Sequence, residues 1–193
     1  MHKKIIYTYH SAINPSYSIR WATPCPPGKG VTMNEGKKFE ENFKKSIPEE
    51  VYWKRLNDSS IGFDIENSNQ RFALKSPFDY ILFYKGNLYC LELKSTKDKS
   101  ISFSGSNPMI KQHQIDELKK AHDKGCIAGF ILNFRSSGNT YFMSMRYFLT
   151  LSREIKKKSF NEDDLYISPR LINIPSRKLK VNYRYDLSTM LGE

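Results

Sequence analysis

The chain has only three cysteines, Cys25, Cys90 and Cys126, and none stand in a C-x-x-C pair. An odd number at such spacings argues against a disulfide framework and against a zinc site. No stretch approaches the ~18 apolar residues of a membrane span. The opening MHKKIIYTYHSAINPS is basic but carries no apolar core of signal-peptide length, so a reducing cytoplasm is the expected compartment. Acids are scarce: 20 Asp and Glu stand against 31 Lys and Arg, a formal charge of +11 with an isoelectric point near 9.5. That imbalance calls for a polyanionic partner. Apolar residues, by contrast, are not lacking. They make up 39% of the 193 residues, with 12 Tyr and 12 Phe, which excludes a disordered chain and suffices for one domain with a sizeable core.

The run PFDYILFYKGNLYCLELK, 77–94, is the most informative stretch. Lys85-Gly86 is a short polar turn between two apolar runs, the pattern of a β-hairpin. Folding about it matches 83 with 88, 82 with 89, 81 with 90, 80 with 91 and 79 with 92. Asp79 thereby lands opposite Glu92, a like-charge pairing that destabilises a ladder unless something lies between the two acids. Lys94, two residues beyond Glu92, shares its face, as do Leu88 and Cys90, whereas Tyr89, Leu91 and Leu93 lie on the other. The charges gather at the end remote from the turn. Two carboxylates offer oxygen ligands suited to Mg²⁺, with Mn²⁺ as a substitute, rather than to zinc. A plain cross-strand acid pair neutralised by Lys94 is the alternative.

Around this hairpin the chain divides into a basic arm, 1–34, a core, 35–158, and an extension, 159–193, expected to pack on the core. NEGKKFEENFKKS, 34–46, has Phe39, Phe43 and Ile47 every four positions, with i,i+4 pairs Glu40–Lys44 and Glu41–Lys45, and predicts a helix. Residues 51–56 alternate as a strand; 57–70 is a polar excursion, and 71–75 returns as a short strand. After the loop 95–107, Asn107-Pro108 caps a helix over 109–124, with Ile110, Gln114, Leu118 and Ala121 on one stripe. Gly125 ends it, and CIAGFILNF is a buried strand. YFMSM follows as an outer strand, then RYFLTLSREIKKK as a helix. The tail shows no clear architecture beyond a short helix in DLSTML.

These segments resemble a known pattern. PFD followed by ExK on the next strand is similar to the PD-(D/E)xK nuclease superfamily. GKKFEENF, the hairpin, and HQIDELKKA in that order resemble, over 34–150, the RecU-type Holliday junction resolvases. The resemblance implies a restriction-endonuclease-like α/β fold: an αβββαβ core whose mixed central sheet is flanked by helices. It implies a Mg²⁺-dependent homodimer that cuts four-way DNA junctions in recombination and repair, leaving 5′-phosphate and 3′-hydroxyl ends. Asp79 and Glu92 would be metal ligands and Lys94 the catalytic lysine. Glu40, or its neighbour Glu41, would be the helical acid completing the site. Gln114 either satisfies a core backbone group or reaches the site to bind a water or phosphate. Ser95, Thr96, Lys97 and Lys99 would grip DNA beside the scissile bond, or form an ordinary solvated loop. The runs Lys156–Lys158 and Arg177–Lys180 are either solvated faces or contacts to the DNA backbone. The interval 57–70, with Asp58, Asp64 and Glu66, is short and acidic where these resolvases carry a DNA-entering stalk, so a general duplex or branched-DNA endonuclease stays open. A DNA-binding regulator with a vestigial site is the reading from another class.

Overall fold

The computed structural model describes residues 34–56, 59–61, 72–74, 76–165 and 171–193. The chain divides into Met1–Thr32 and Met33–Glu193. All that follows lies in the second unit, and the basic arm proposed for 1–34 falls outside the described residues but for Asn34. The Asn34 side chain accepts a bond from the Gly36 N–H and starts helix α1, Glu35–Lys44. Strand β1, Tyr52–Arg55, follows. Then β2, Ser59–Ile61, and β3, Phe72–Leu74, pair with each other, so the polar excursion contains a strand; the rest of it lies outside the described residues.

The hairpin forms in the expected register. Strand β4, Tyr80–Tyr84, pairs with β5, Asn87–Thr96, from Tyr80↔Leu91 to Tyr84↔Asn87. Lys85 and Gly86 both take positive φ, 45° and 79°, as a two-residue turn matched to strand twist requires. The loop after β5 is not featureless, because β6, Ser100–Ser102, pairs with a later strand, β9.

Helix α2 spans Gln112–Asp123 with Lys111 as its N-cap, three residues later than the expected start at 109. The Ile110 N–H is taken by the Ser102 carbonyl and the Met109 N–H by the Ser102 hydroxyl, which holds 109–110 against β6 instead of in a helix. Then come β7, Ile127–Phe134; β8, Asn139–Ser144; α3, Met145–Glu154; β9, Ser159–Asn161; and α4, Glu162–Leu165. Strand β10, Ile172–Asn173, covers β8, so YFMSM is not outermost as expected. The tail is also more ordered than its composition suggests: β11, Ser176–Lys178, and β12, Tyr183–Tyr185, form a two-stranded ribbon, and α5, Ser188–Leu191, ends the chain.

The main sheet runs β1-β4-β5-β7-β8-β10, with β5 and β7 parallel and the other neighbours antiparallel. Setting aside the small β2–β3 hairpin and β6, the order α1-β1-β4-β5-α2-β7 is the αβββαβ core that the resemblance implied. Both faces are covered. Cys90, Phe130 and Leu132 pack with Ile115, Leu118 and Phe148 of α2 and α3. Leu91, Leu93 and Ile131 pack on the other side with Phe39 and Phe43 of α1 and with Met190 and Leu191 of α5. Gly129 is required at the crossing of β7 and β8, where a Cβ would lie 2.4 Å from the Met143 carbonyl oxygen.

Candidate active site

Asp79 stands one residue before β4 and donates its N–H to the Leu91 carbonyl at 3.1 Å. That bond is one residue off the β4–β5 register, which ends at Tyr80↔Leu91, so the expected ladder pairing of Asp79 with Glu92 does not form, although the Asp79 charge is still felt at Glu92. The Asp79 Oδ2 accepts the Leu93 N–H at 2.8 Å, which pins its carboxylate to the β5 backbone. Glu92 sits mid-strand and is 2% exposed. Its Oε1 accepts from Lys94 Nζ at 2.8 Å and from Gln114 Nε2. Gln114 in turn accepts the Lys111 N–H at 2.9 Å through Oε1. One amide thus caps the first turn of α2 and ties that helix end to the buried acid. Gln114 thus has the backbone partner that one of its two readings gave it, and its amide nitrogen also reaches Glu92.

The electrostatics follow from burial. Burial first, and then the Asp79 charge, raise the Glu92 carboxyl to about 7 against the opposing effect of Lys94. Asp79 is also raised, chiefly by burial, with its Leu93 hydrogen bond acting against the rise and Glu40 adding to it. Two desolvated acids, one of them further opposed by the other's charge, are the condition a cation relieves. The donor set fits one: carboxylate oxygens on adjacent strands suit a hard divalent ion.

Glu40 lies at the margin. Its field reaches both Asp79 and Glu92, but its Oε2 is held by Arg55 Nη2 at 2.7 Å. Among the described residues no three His, Cys, Asp or Glu side chains come close enough to hold a metal ion together, so Asp79 and Glu92 stand as a pair. Glu41 is exposed. The expected i,i+4 pairing of Glu40 with Lys44 gives way to Arg55, which β1 brings across from Tyr80. Arg55 is the site residue that sequence reasoning missed. Its signal was a basic residue closing the edge strand that pairs next to Asp79.

The segment after Lys94 separates. Ser95 points to the opposite face, donating to Asn133 Oδ1 at 2.9 Å and accepting from Arg135 at 3.1 Å. Thr96 shares the face of Glu92 but is 3% exposed, and its hydroxyl accepts the Asp98 N–H. Neither hydroxyl is presented beside the acids as expected, because alternation turns one away and loop closure encloses the other. Lys97 and Lys99 are exposed.

Residues 36–187 match the family described as RecU, Recombination protein U. An uncharacterized protein, YotM, of SPbeta prophage origin in Bacillus subtilis is 35% identical over 173 residues, covering 83% of this chain and 86% of that one. The Holliday junction resolvase RecU of Oceanobacillus iheyensis is 32% identical over 115 residues, 58% of this chain and 57% of its own. Hjc, a Holliday junction resolvase of Archaeoglobus fulgidus, superposes with a TM-score of 0.38 at 16% identity, covering 60% of this chain and 78% of that one, a likeness too slight to build on. No helix among the described residues is long and apolar enough to cross a membrane. With the family match spanning most of the chain and the paired acids, lysine and αβββαβ order in place, this chain belongs to the RecU family.

Proposed function

We propose that the protein is a Mg²⁺-dependent endodeoxyribonuclease that resolves four-way DNA junctions. The observation carrying this reading is the half-buried Asp79 beside the buried Glu92, close enough for its charge to be felt there, with Lys94 Nζ 2.8 Å from Glu92. Family membership and the relatives named Holliday junction resolvase support the choice of substrate. Asp79 and Glu92 would hold the ion, which when bound polarises a phosphate oxygen and acidifies a water.

The chain's own groups do the rest. Asp79 is oriented by the Leu93 N–H, so its carboxylate keeps one direction. Gln114 fixes Glu92 from the α2 side, which leaves the acid little rotational freedom. Lys94 places a positive charge beside Glu92, where it can orient the attacking water and offset charge gathering on the phosphate oxygens. Glu40 and Arg55 border the site from α1 and β1. Lys97 and Lys99, exposed just beyond Lys94, would meet flanking phosphates. Two symmetric cuts call for two such sites about a two-fold axis, hence a homodimer.

Labelled four-way junctions and linear duplex of the same arm sequence, incubated with Mg²⁺, test the reading. Junction cleavage that needs the metal and vanishes in Asp79→Asn is expected. Equal cutting of duplex would replace junction resolution with a general endonuclease. DNA binding with no metal-dependent cutting of either substrate would leave only a regulator.

A further inference from the structure

The β11–β12 ribbon is strongly basic. Its residues, SRKLKVNYRY, hold four cations and no acid. Arg177 is directly paired with Arg184, an arrangement that costs stability when like charges face each other without a counter-ion. No ion pair among the described residues includes Arg177, Lys178, Lys180 or Arg184. The ribbon also projects, since Val181 at its turn is 70% exposed. Its foot is nonetheless fixed: Arg184 donates to the Lys45 carbonyl, the Tyr185 N–H donates to the Ser46 hydroxyl at 2.9 Å, and Tyr185 meets the Phe39 ring edge-on.

That foot opens into a groove of about 860 Å³ along α1. Asn182 of the ribbon turn lines one part of it, and Glu40 with Arg55, at the margin of the paired acids, another. Lys37, Lys38, Lys44 and Lys45 lie along it. On the other side of the foot, Lys38 and Arg135 line a second cavity of about 250 Å³ with Tyr183. Cations therefore outnumber acids along both cavities, where Glu35, Glu40 and Glu41 are interspersed, between the exposed ribbon and the edge of the acid site. A merely solvated basic face would not need to converge on it.

We propose that the β11–β12 ribbon and the lysine-lined groove at its foot form a phosphate-binding track that seats a duplex arm of DNA beside Glu40 and the paired acids. The proposal rests on the reading of the protein as acting on DNA. A two-stranded ribbon has the width to lie against a duplex groove, and its ammonium and guanidinium groups would replace counter-ions condensed on the backbone.

The test is fluorescence anisotropy of the full chain with a labelled four-way junction and a labelled duplex, in EDTA to prevent cutting, over a series of salt concentrations. The triple variant Arg177→Ala, Lys178→Ala, Lys180→Ala should bind both DNAs at least roughly tenfold more weakly, with a log–log salt slope shallower by about 3. The triple variant Lys119→Ala, Lys120→Ala, Lys124→Ala removes the same charge from α2 and should bind within about twofold of wild type, since binding that follows contacts leaves remote lysines silent. Should the ribbon triple fail to fold, Lys180→Ala alone, on the exposed turn, should make the slope shallower by about 1. Wild-type binding by the ribbon variants, equal weakening by both triples, or no DNA binding by wild type would each overturn the proposal. A wild type that grips through the ribbon but never cuts would reject the nuclease and leave the track. Cutting and binding unimpaired in the ribbon variants would do the reverse.

Discussion

At the scale of single residues, the chemistry turns on a carboxyl that resists ionisation. The native Glu92 carboxyl is raised from 4.5 to about 7, so between those values the folded protein holds a proton that the unfolded chain has released. Metal-free stability should therefore fall as pH climbs through that window, and Asp79, raised as well, acts in the same sense. Thermal melts in EDTA should show a higher midpoint near the bottom of the window than above its top, and Glu92→Gln should flatten the trend. A flat wild-type profile identical to that of Glu92→Gln would dispose of the argument. Adding Mg²⁺ should stabilise most where the acids are ionised, at the high end. Gln114→Ala breaks the tie between α2 and Glu92, and steady-state kinetics should show activity lower by roughly 10–100-fold, as for other groups that orient a ligand. Glu92 and Lys94 were legible in the sequence because strand alternation puts them on one face and the turn brings Asp79 near them; the break in register at Asp79, whose carboxylate is held by the Leu93 N–H, was not. Arg55 was not, since its partner Glu40 belongs to a helix whose docking angle no local pattern encodes.

At the scale of elements, α1 is positioned by two rings. Phe43 is fully buried against Tyr80, and Phe39 against Tyr185, so the helix that carries Glu40 is keyed to both the sheet and the ribbon. Phe43→Ala should destabilise by about 3–5 kcal/mol in denaturant titrations. Because α1 seats Glu40 beside the acids, a residual folded fraction should also cut DNA more slowly; full stability would mean that the helix is held by something else. Gly129→Ala drives a methyl group into the β8 backbone, and should cost on the order of 1–3 kcal/mol by the same measurement. The β4–β5 register was readable because Lys85-Gly86 admits one tight turn. The start of α2 was not, for a reason outside the helix: Ser102 captures residues 109–110, and the cap falls to Lys111 with Gln114.

At the scale of the whole molecule, the tail is part of the structure and not an appendage. Tyr185, Leu187, Met190 and Leu191 help close the face of the sheet formed by Leu82, Tyr89 and Leu91. A chain ending at Pro175 should lose cooperative unfolding, detectable by circular dichroism melts and rapid proteolysis; a fully cooperative truncated protein would show the face closed by α1 alone. Composition hid this architecture, because the short basic strands β11 and β12 have little apolar periodicity and are held by α1, far away in sequence. The net charge of +11, by contrast, pointed at the outset to a polyanion. The claim on which the account depends is that Asp79 and Glu92 share one divalent ion. Anomalous scattering from crystals soaked in Mn²⁺ measures this directly. A peak about 2–2.6 Å from a carboxylate oxygen of both Asp79 and Glu92, lost in Asp79→Asn, is the expected result; Mn²⁺ bound elsewhere, or an acid pair that stays bare at saturating metal, would contradict it.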